Sequence, residues 1–420
     1  MSDERKLIRL LTIFNRYLNR GGEEISVEHN ADALSSRTVA LNHRVLYFNS
    51  SDWQQSPRPP AWKQASLMWS NPSSIQRLLR VQQEFPADCW MVHNVFPVGS
   101  AAVYRQAKDM HMPIIQCIQN FRPFSVNGYL WAGEDFALGG LKRSYWREIW
   151  LGAWQESRIK TAWFALILKA MHRDGTWQSI KSWLAISEFM RDRFIEAGIP
   201  AERIFTLRHF HLPEAPKRQP QDGNYFLFLG RLISAKGVKV LLSTWEMLER
   251  KYGSGAPRLK IGGEGPLASW VSGEARRLRK VEYVGMLDDS RKAEALAKCE
   301  ALIAPSLWWE PLGLVAYEAY DHGKPVLAAR SGGLAELINH GVTGYLHEPG
   351  DVCELADQIM ALHRSPSERT RLGDSGRVWL LANAGVERWT ERLTEIVEFT
   401  VGRSTTPPAF TQPLLNLASE

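Results

Sequence analysis

Two consecutive α/β domains with parallel sheets are predicted by this sequence, on three observations. Strand-like apolar runs alternate with helical stretches along the chain, the order that builds parallel sheets through crossover helices. With 420 residues, 45% of them hydrophobic, the chain holds enough apolar material for two cores. Midway lies Leu212-Pro213-Glu214-Ala215-Pro216-Lys217-Arg218-Gln219-Pro220-Gln221-Asp222-Gly223, polar and proline-rich, the composition of a linker.

Taken in order, strands are expected at 7–15, 44–48, 89–93, 113–119, 183–187 and 204–207 in the first domain. The second is expected to use 225–229, 259–261, 281–284, 301–304, 325–328 and 344–346. This divides the chain into residues 1–212 and 213–402, with the last helix able to pack back on the first domain. Residues 403–420, which include Thr406-Pro407-Pro408, read as a flexible tail. Ligands of open parallel sheets bind outside the strands' carboxyl ends, and those ends of both domains are expected to face one central cleft.

The chemistry gathers at those ends. In Glu310-Pro311-Leu312-Gly313-Leu314-Val315-Ala316-Tyr317-Glu318, Pro311 and Gly313 favour a turn and a helix follows. Amides from Leu312 to Val315 would then face outward as a diphosphate site, with Glu310 before the helix and Glu318 about two turns into it, both able to accept from hydroxyls. An isolated glutamate pair is more often an ordinary surface feature. Here it has company: the run 225–229 ends in Gly230-Arg231-Leu232-Ile233-Ser234-Ala235-Lys236-Gly237, placing two cations beyond a strand. The run 259–261 ends in Gly262-Gly263-Glu264-Gly265-Pro266, where glycines let backbone approach a ligand. Ser331-Gly332-Gly333-Leu334-Ala335-Glu336-Leu337 adds another glycine-rich helix start. In the first half, Arg16-Tyr17-Leu18-Asn19-Arg20-Gly21-Gly22-Glu23-Glu24, His93-Asn94-Val95-Phe96-Pro97 and Gln119-Asn120-Phe121-Arg122 also follow strand-like runs.

This ordered set, spread over nearly the whole chain, resembles the GT4-type retaining glycosyltransferases of the GT-B fold. The resemblance implies two Rossmann-like domains, the first for the acceptor and the second for a sugar nucleotide. It implies transfer of a hexosyl group from a UDP- or GDP-sugar to a glycan or lipid-linked saccharide, in envelope or exopolysaccharide biosynthesis. Carried over by motif, Arg231 and Lys236 contact the diphosphate, Glu310 the donor sugar and Glu318 the ribose. Gly21, Gly22, Gly263, Leu312, Gly313, Leu314 and Val315 complete the donor site, and His93 and Asn120 meet the acceptor. The catalytic set is Glu310, Gln119, Arg231 and Lys236; many family members have a histidine where this chain has Gln119, which hydrogen-bonds but does not titrate. If that histidine is indispensable, the chain is instead a catalytically weak sugar-nucleotide-binding subunit of a glycan-assembly complex.

No metal or cofactor is expected. There is no convincing Asp-x-Asp, Asp288-Asp289 and Asp351 look like helix caps, and Arg231 and Lys236 can meet the leaving group's charge. The formal net charge of +6 is concentrated: residues 141–183 hold eight Lys or Arg against three acidic residues. Trp146, Trp150, Trp154, Trp163, Trp177 and Trp183 share that stretch, the first three spaced to lie along one helix face. Tryptophan beside basic residues suits an anionic headgroup region, a peripheral membrane contact; packing of the first domain's core or of the acceptor pocket is the other reading. No recognised nucleic-acid module accompanies the basic charge. With no signal peptide or long apolar run, and with Cys89, Cys117, Cys299 and Cys353 scattered, a cytoplasmic protein with reduced thiols is expected.

Overall fold

The computed structural model describes residues 7–18, 21–37, 40–56, 58–213, 223–411 and 414. Most of the interdomain segment, 214–222, therefore lies outside the described residues, as do Asn19 and Arg20 of the first glycine-rich loop. The chain forms two compact units: one draws on the described parts of Met1–His209 and Val386–Gln412, the other on those of Phe210–Gly385 and Pro413–Glu420.

The first unit carries β1 (Ile8–Arg16), β2 (Leu41–Asn49), β3 (Cys89–Val92), β4 (Ile114–Ile118), β5 (Trp131–Ala132), β6 (Asp135–Phe136), β7 (Ser182–Ala185) and β8 (Ile204–Thr206). Six of them form an all-parallel sheet in the order β2-β1-β3-β4-β7-β8. Every residue of β3 and β7 is buried, which is why both read as unbroken apolar runs rather than alternating ones. The hairpin β5-β6 has two residues per strand and gives no periodic signal in the sequence.

The second unit carries β9 (Tyr225–Leu229), β10 (Arg258–Gly262), β11 (Val281–Gly285), β12 (Leu302–Ala304), β13 (Val326–Ala329) and β14 (Gly344–His347). They pair in parallel in the order β11-β10-β9-β12-β13-β14. Counted within the unit this is 3-2-1-4-5-6, the doubly wound arrangement whose order reverses between the first and fourth strands. Its core joins Phe226, Trp245, Leu259, Ile261, Ile303 and Ile359 from sheet and helices.

The C-terminal segment departs from expectation. The helix Val386–Thr400, placed by sequence at the end of the second domain with the option of packing back, belongs to the first unit. There Thr400 Oγ1 lies 2.8 Å from Ser182 Oγ on β7. The described part of the tail is not loose either: Thr206 N donates to Phe410 O (3.0 Å) and the Phe410 ring stacks on Phe205. These contacts dock it on the edge strand β8.

The tryptophans also separate. Spacing by four put Trp146, Trp150 and Trp154 on one helix face, but the helix Trp146–Leu151 ends at Gly152, which is left-handed (φ 61°). Trp154 falls in the following turn, packed on Phe164 with ring centroids 4.9 Å apart. Trp177 and Trp183 are core residues, whereas Trp146 and Trp150 are exposed. On the same short helix Glu148 is buried, accepting through Oε1 from Ser125 Oγ (2.8 Å) and Val126 N (2.9 Å).

Burial pushes the Glu148 carboxyl up to about 7. A carboxyl whose folded value is raised holds its proton in the native state while the unfolded chain has lost it. Its contribution to stability is therefore lost as pH climbs from the unfolded value through about 7. The buried histidines His93 and His209, depressed to about 3 and about 4, act in the opposite sense, so the clean observable is a difference between proteins. Relative to wild type, Glu148→Gln is expected to gain on the order of 2 kcal/mol between pH 5 and pH 8, read from urea unfolding across that range. Parallel pH profiles would show that Glu148 is ionised throughout.

Candidate functional site

In the second unit the strands flanking the reversal, β9 and β12, are hydrogen-bonded neighbours. The loops that leave their carboxyl ends are pinned together: Leu307 N and Trp308 N both donate to Ala235 O (2.8 and 3.3 Å). Gly237 makes this approach possible, since it is left-handed (φ 72°) and a Cβ there would stand 1.8 Å from Pro305 O. The result is that Lys236 Nζ reaches both oxygens of Glu310, at 2.8 and 2.7 Å. Glu310, only 8% exposed, also accepts from Ser306 Oγ and Trp308 Nε1, both at 3.0 Å. Its backbone oxygen takes the Gly333 N–H at 2.7 Å. Two residues that the sequence assigned separate ligand contacts are thus partners, and Ser306 and Trp308, which were not singled out, complete the cluster.

After Glu310 the chain turns through buried Leu312 and left-handed Gly313 (φ 94°) into the helix Leu314–Asp321. The first turn leaves the amides of Leu314 and Val315 without intrahelical acceptors. Glu318 is its fifth residue, so it sits just over one turn in rather than two. Its Oε1 accepts from Lys292 Nζ at 3.0 Å, a partner the sequence did not reveal. Lys292 lies on the helix Asp289–Lys298, capped by the Asp288 side chain on Arg291 N as expected, and Asp351 caps Glu354 N in the same way. The Gly263 N–H is taken by Gly285 O (2.8 Å), and a Cβ there would meet Gly230 O at 1.9 Å. It braces the loop that holds Arg231, whose side chain is exposed.

In the first unit Gly21 and Gly22 open the helix Gly22–Arg37, with open space beside the Gly21 α-carbon. Glu23 in its first turn points inward, where Oε2 accepts from Tyr17 Oη (2.6 Å) and Asn120 Nδ2 (3.0 Å). Burial raises its pKa against the pull of these donors. Gln119 Nε2 donates to His93 Nδ1 at 3.3 Å. Burial, reinforced by His209 and His43, pushes His93 down to about 3, so the ring is neutral with its proton on Nε2. That buried Nε2 meets no partner among the described residues. A pocket lined by Glu23, His93, Asn94, Gln119, Asn120 and Arg122 gathers these groups. His93, Gln119 and Asn120 are therefore brought together as neighbours, with Glu23 and Tyr17 the members that sequence reasoning missed.

Residues 214–379 match the family model described as glycosyl transferases group 1. The matched segment falls in the second unit and spans about two-fifths of the chain. The chain is 34% identical over 164 residues to a glycogen synthase of Mycobacterium tuberculosis, a match covering 38% of this chain and 39% of that protein. It is 30% identical over 158 residues to a phosphatidyl-myo-inositol mannosyltransferase of Mycobacterium leprae, covering 37% and 42%. The chain thus spans about four-tenths of the length of these curated relatives. Likeness in fold extends further. Anabaena Alr3699/HepE, solved with UDP-glucose, superposes with a TM-score of 0.66 at 16% identity over 93% of this chain and 99% of that one. The sucrose-phosphate synthase of Thermosynechococcus elongatus gives 0.68 at 18% identity over 94% and 100%. The architecture is that of the GT-B glycosyltransferases: two α/β units, each built on a parallel sheet.

Removing the lysine from this cluster leaves a nearly buried carboxylate beside the neutral donors Ser306 and Trp308. Lys236→Met is expected to cost about 2–4 kcal/mol of unfolding free energy, and Glu310→Gln less. A double-mutant cycle by urea denaturation should return a coupling above about 1 kcal/mol. Additive single effects would mean that the pair contributes nothing to holding the two loops.

Proposed function

We propose that this chain is a GT4-type glycosyltransferase, moving a hexosyl group from a UDP- or GDP-sugar to a glycan or lipid-linked saccharide, with retention and without a metal. The observation that carries this reading is the Lys236–Glu310 cluster at the order reversal of the second sheet. A cation, a carboxylate and a helix start stand where open parallel sheets take their ligands. The names of its relatives, a glycogen synthase and a mannosyltransferase, support hexosyl transfer. Crystals of a fold neighbour with UDP-glucose support a nucleotide-sugar donor. Envelope or exopolysaccharide assembly is the setting that a cytoplasmic enzyme of this kind would serve.

In this mechanism the bond from the sugar's anomeric carbon to the diphosphate breaks with its electron pair going to the phosphate oxygen. Arg231, Lys236 and the amides of Leu314 and Val315 stabilise the charge that develops there. Lys236 exchanges its Glu310 oxygens for phosphate, which frees the carboxylate to accept from sugar hydroxyls and orient the carbon. Glu318, steadied by Lys292, accepts from the ribose. The acceptor hydroxyl attacks the same face and passes its proton to the departing phosphate oxygen, so no titrating side chain is needed and Gln119 suffices. His93 Nε2–H and Asn120 supply hydrogen bonds to the acceptor. Gln119 also favours a second reading, in which the chain binds the sugar nucleotide without turning it over.

Donor hydrolysis in the absence of acceptor separates the two readings, since an enzyme releases nucleoside diphosphate slowly and a binder releases none. Arg231→Ala or Lys236→Ala should weaken donor binding by about 1.5–3 kcal/mol, while EDTA leaves the rate unchanged. Abolition by EDTA together with normal donor binding by both variants would refute the metal-free scheme.

The two glutamates should fail differently. Glu310→Gln should lower kcat by about 10–1000-fold, whereas Glu318→Gln should raise the donor KM with a smaller change in kcat. Gln119→His should keep part of the activity and Gln119→Ala should reduce kcat more than donor affinity. Wild-type kinetics from both glutamate variants, with folding verified by circular dichroism, would remove the donor site from this motif.

A further inference from the structure

Three helices of the first unit share an exposed aromatic face. The helix Ala61–Trp69 meets the helix Arg158–Arg173 where Trp163 Nε1 donates to Ala65 O (2.9 Å). The helix Trp146–Leu151 meets it on the other side, with the Arg158 guanidinium 4.5 Å above the Trp150 ring. From this surface project Ile159 (84% exposed), Trp62 (74%), Trp146 (68%), Trp150 (63%) and Leu166 (58%). On the long helix Ile159, Trp163 and Leu166 follow at intervals of four and three, and Lys169 and Arg173 continue the same stripe. One helix face thus runs from apolar to basic.

The charge around this patch is one-sided. The three helices carry Lys63, Arg147, Arg158, Lys160, Lys169 and Arg173. Their single carboxylate, Glu148, is buried on Ser125 and Val126. Nearby, Asp135 is engaged by Arg147 at 3.4 Å, and Glu134 and Glu156 are exposed in the connecting turns. Large exposed aromatics in a contiguous group mark an interaction surface. A second copy of this face would set Lys63, Arg158, Lys160, Lys169 and Arg173 against the same residues, a net excess of positive charge that opposes self-association through it. A lipid surface with negative headgroups satisfies both halves: indole rings settle at the headgroup level, and flexible Lys and Arg side chains reach the phosphates.

We propose that this face, built from helices 61–69, 146–151 and 158–173, docks the protein on an anionic lipid bilayer. The surface goes beyond the transfer reaction and involves none of the residues assigned to it, so it can be tested without donor or acceptor. The full chain is sedimented with vesicles of phosphatidylcholine alone and with about 30% phosphatidylglycerol. Binding to the anionic vesicles should be about tenfold or more tighter, and should fall steeply as salt rises toward about 0.5 M. Trp62→Ser, Trp146→Ser and Trp150→Ser combined should lose about tenfold or more while donor binding stays intact. Should that variant fail to fold, Lys160→Glu with Lys169→Glu, which alters only exposed charges, decides through loss of the anionic preference. A wild-type chain that stays in the supernatant with anionic vesicles overturns the proposal, as does undiminished binding by either folded variant. A dimer that the serine variant converts to monomer, without vesicle binding by wild type, overturns it in favour of a protein interface.

Discussion

The ion pair between Lys236 and Glu310 is the constraint around which the second unit's loops are arranged. Its members are 74 residues apart in sequence, and they meet because their strands are neighbours across the order reversal. Taking two charges out of water costs several kcal/mol per ion, recovered only when geometry is good and the remaining lone pairs are used. Both conditions hold here. Lys236 bridges both carboxylate oxygens, and Ser306 and Trp308 donate to Oε2. The pair also sets what an incoming anion would find: an ammonium already partly stripped of water, with a carboxylate next to it that needs new donors when the ammonium turns away. A ligand carrying both a diphosphate and hydroxyls can satisfy both groups in the same step, which a simple phosphate cannot.

Much of the fold was legible because its physics is local. All twelve strands of the two large sheets lie where apolar runs put them, with ends shifted by a few residues; central strands such as β3 and β7, buried on both faces, leave unbroken hydrophobic segments. The parts that were not legible depend on distant partners. Nothing in the run around Val386 says which core its apolar face covers; the bond between Thr400 and Ser182 on β7 and the packing of Phe399 on Phe205 reveal the first unit as its place. Glu318, expected about two turns into its helix, is the fifth residue of a helix that starts at Leu314 and so lies just over one turn in. Gly263 carries a close approach that the sequence did not reveal, to Gly230 of the neighbouring loop. The site motifs could be found by spacing, but the pairing of Lys236 with Glu310 and of Lys292 with Glu318 needed the sheet order first.

The first unit's pocket shows how burial decides the chemistry a side chain can offer. His93 is too deeply desolvated to hold a proton near neutrality and acts as a neutral ring, accepting from Gln119 at Nδ1 and presenting an unpartnered N–H at Nε2. A buried donor left without a partner is costly, so a polar group arriving at this atom gains a hydrogen bond for which no bulk-water contact is lost on the protein side. Gln119 has its orientation set by the same bond. Neither residue titrates near neutral pH, and Glu23, the carboxyl closest in the pocket, is tied to Tyr17 and Asn120. The pocket is thus equipped to position a hydroxyl-bearing molecule more than to exchange protons with it.

Tryptophan placement required the structure for a related reason. Spacing treats Trp146, Trp150 and Trp154 alike, yet Gly152 stops the helix and divides them between surface and packing, while Trp177 and Trp183 go to the core. What distinguishes the exposed pair is the fate of the acidic residue between them. Glu148 turns inward to hold Ser125 and Val126, and Arg122 donates to the Val126 carbonyl from the pocket wall. One side of this short helix therefore presents two indole rings outward, and its other side fastens the loop that lines the pocket. Were Glu148 at the surface, it would add a negative charge to the basic face and leave the 125–126 turn without its acceptor. Burying it serves both, at the cost of a carboxyl pushed up to about 7, and couples the order of the pocket loop to the proton at this one position.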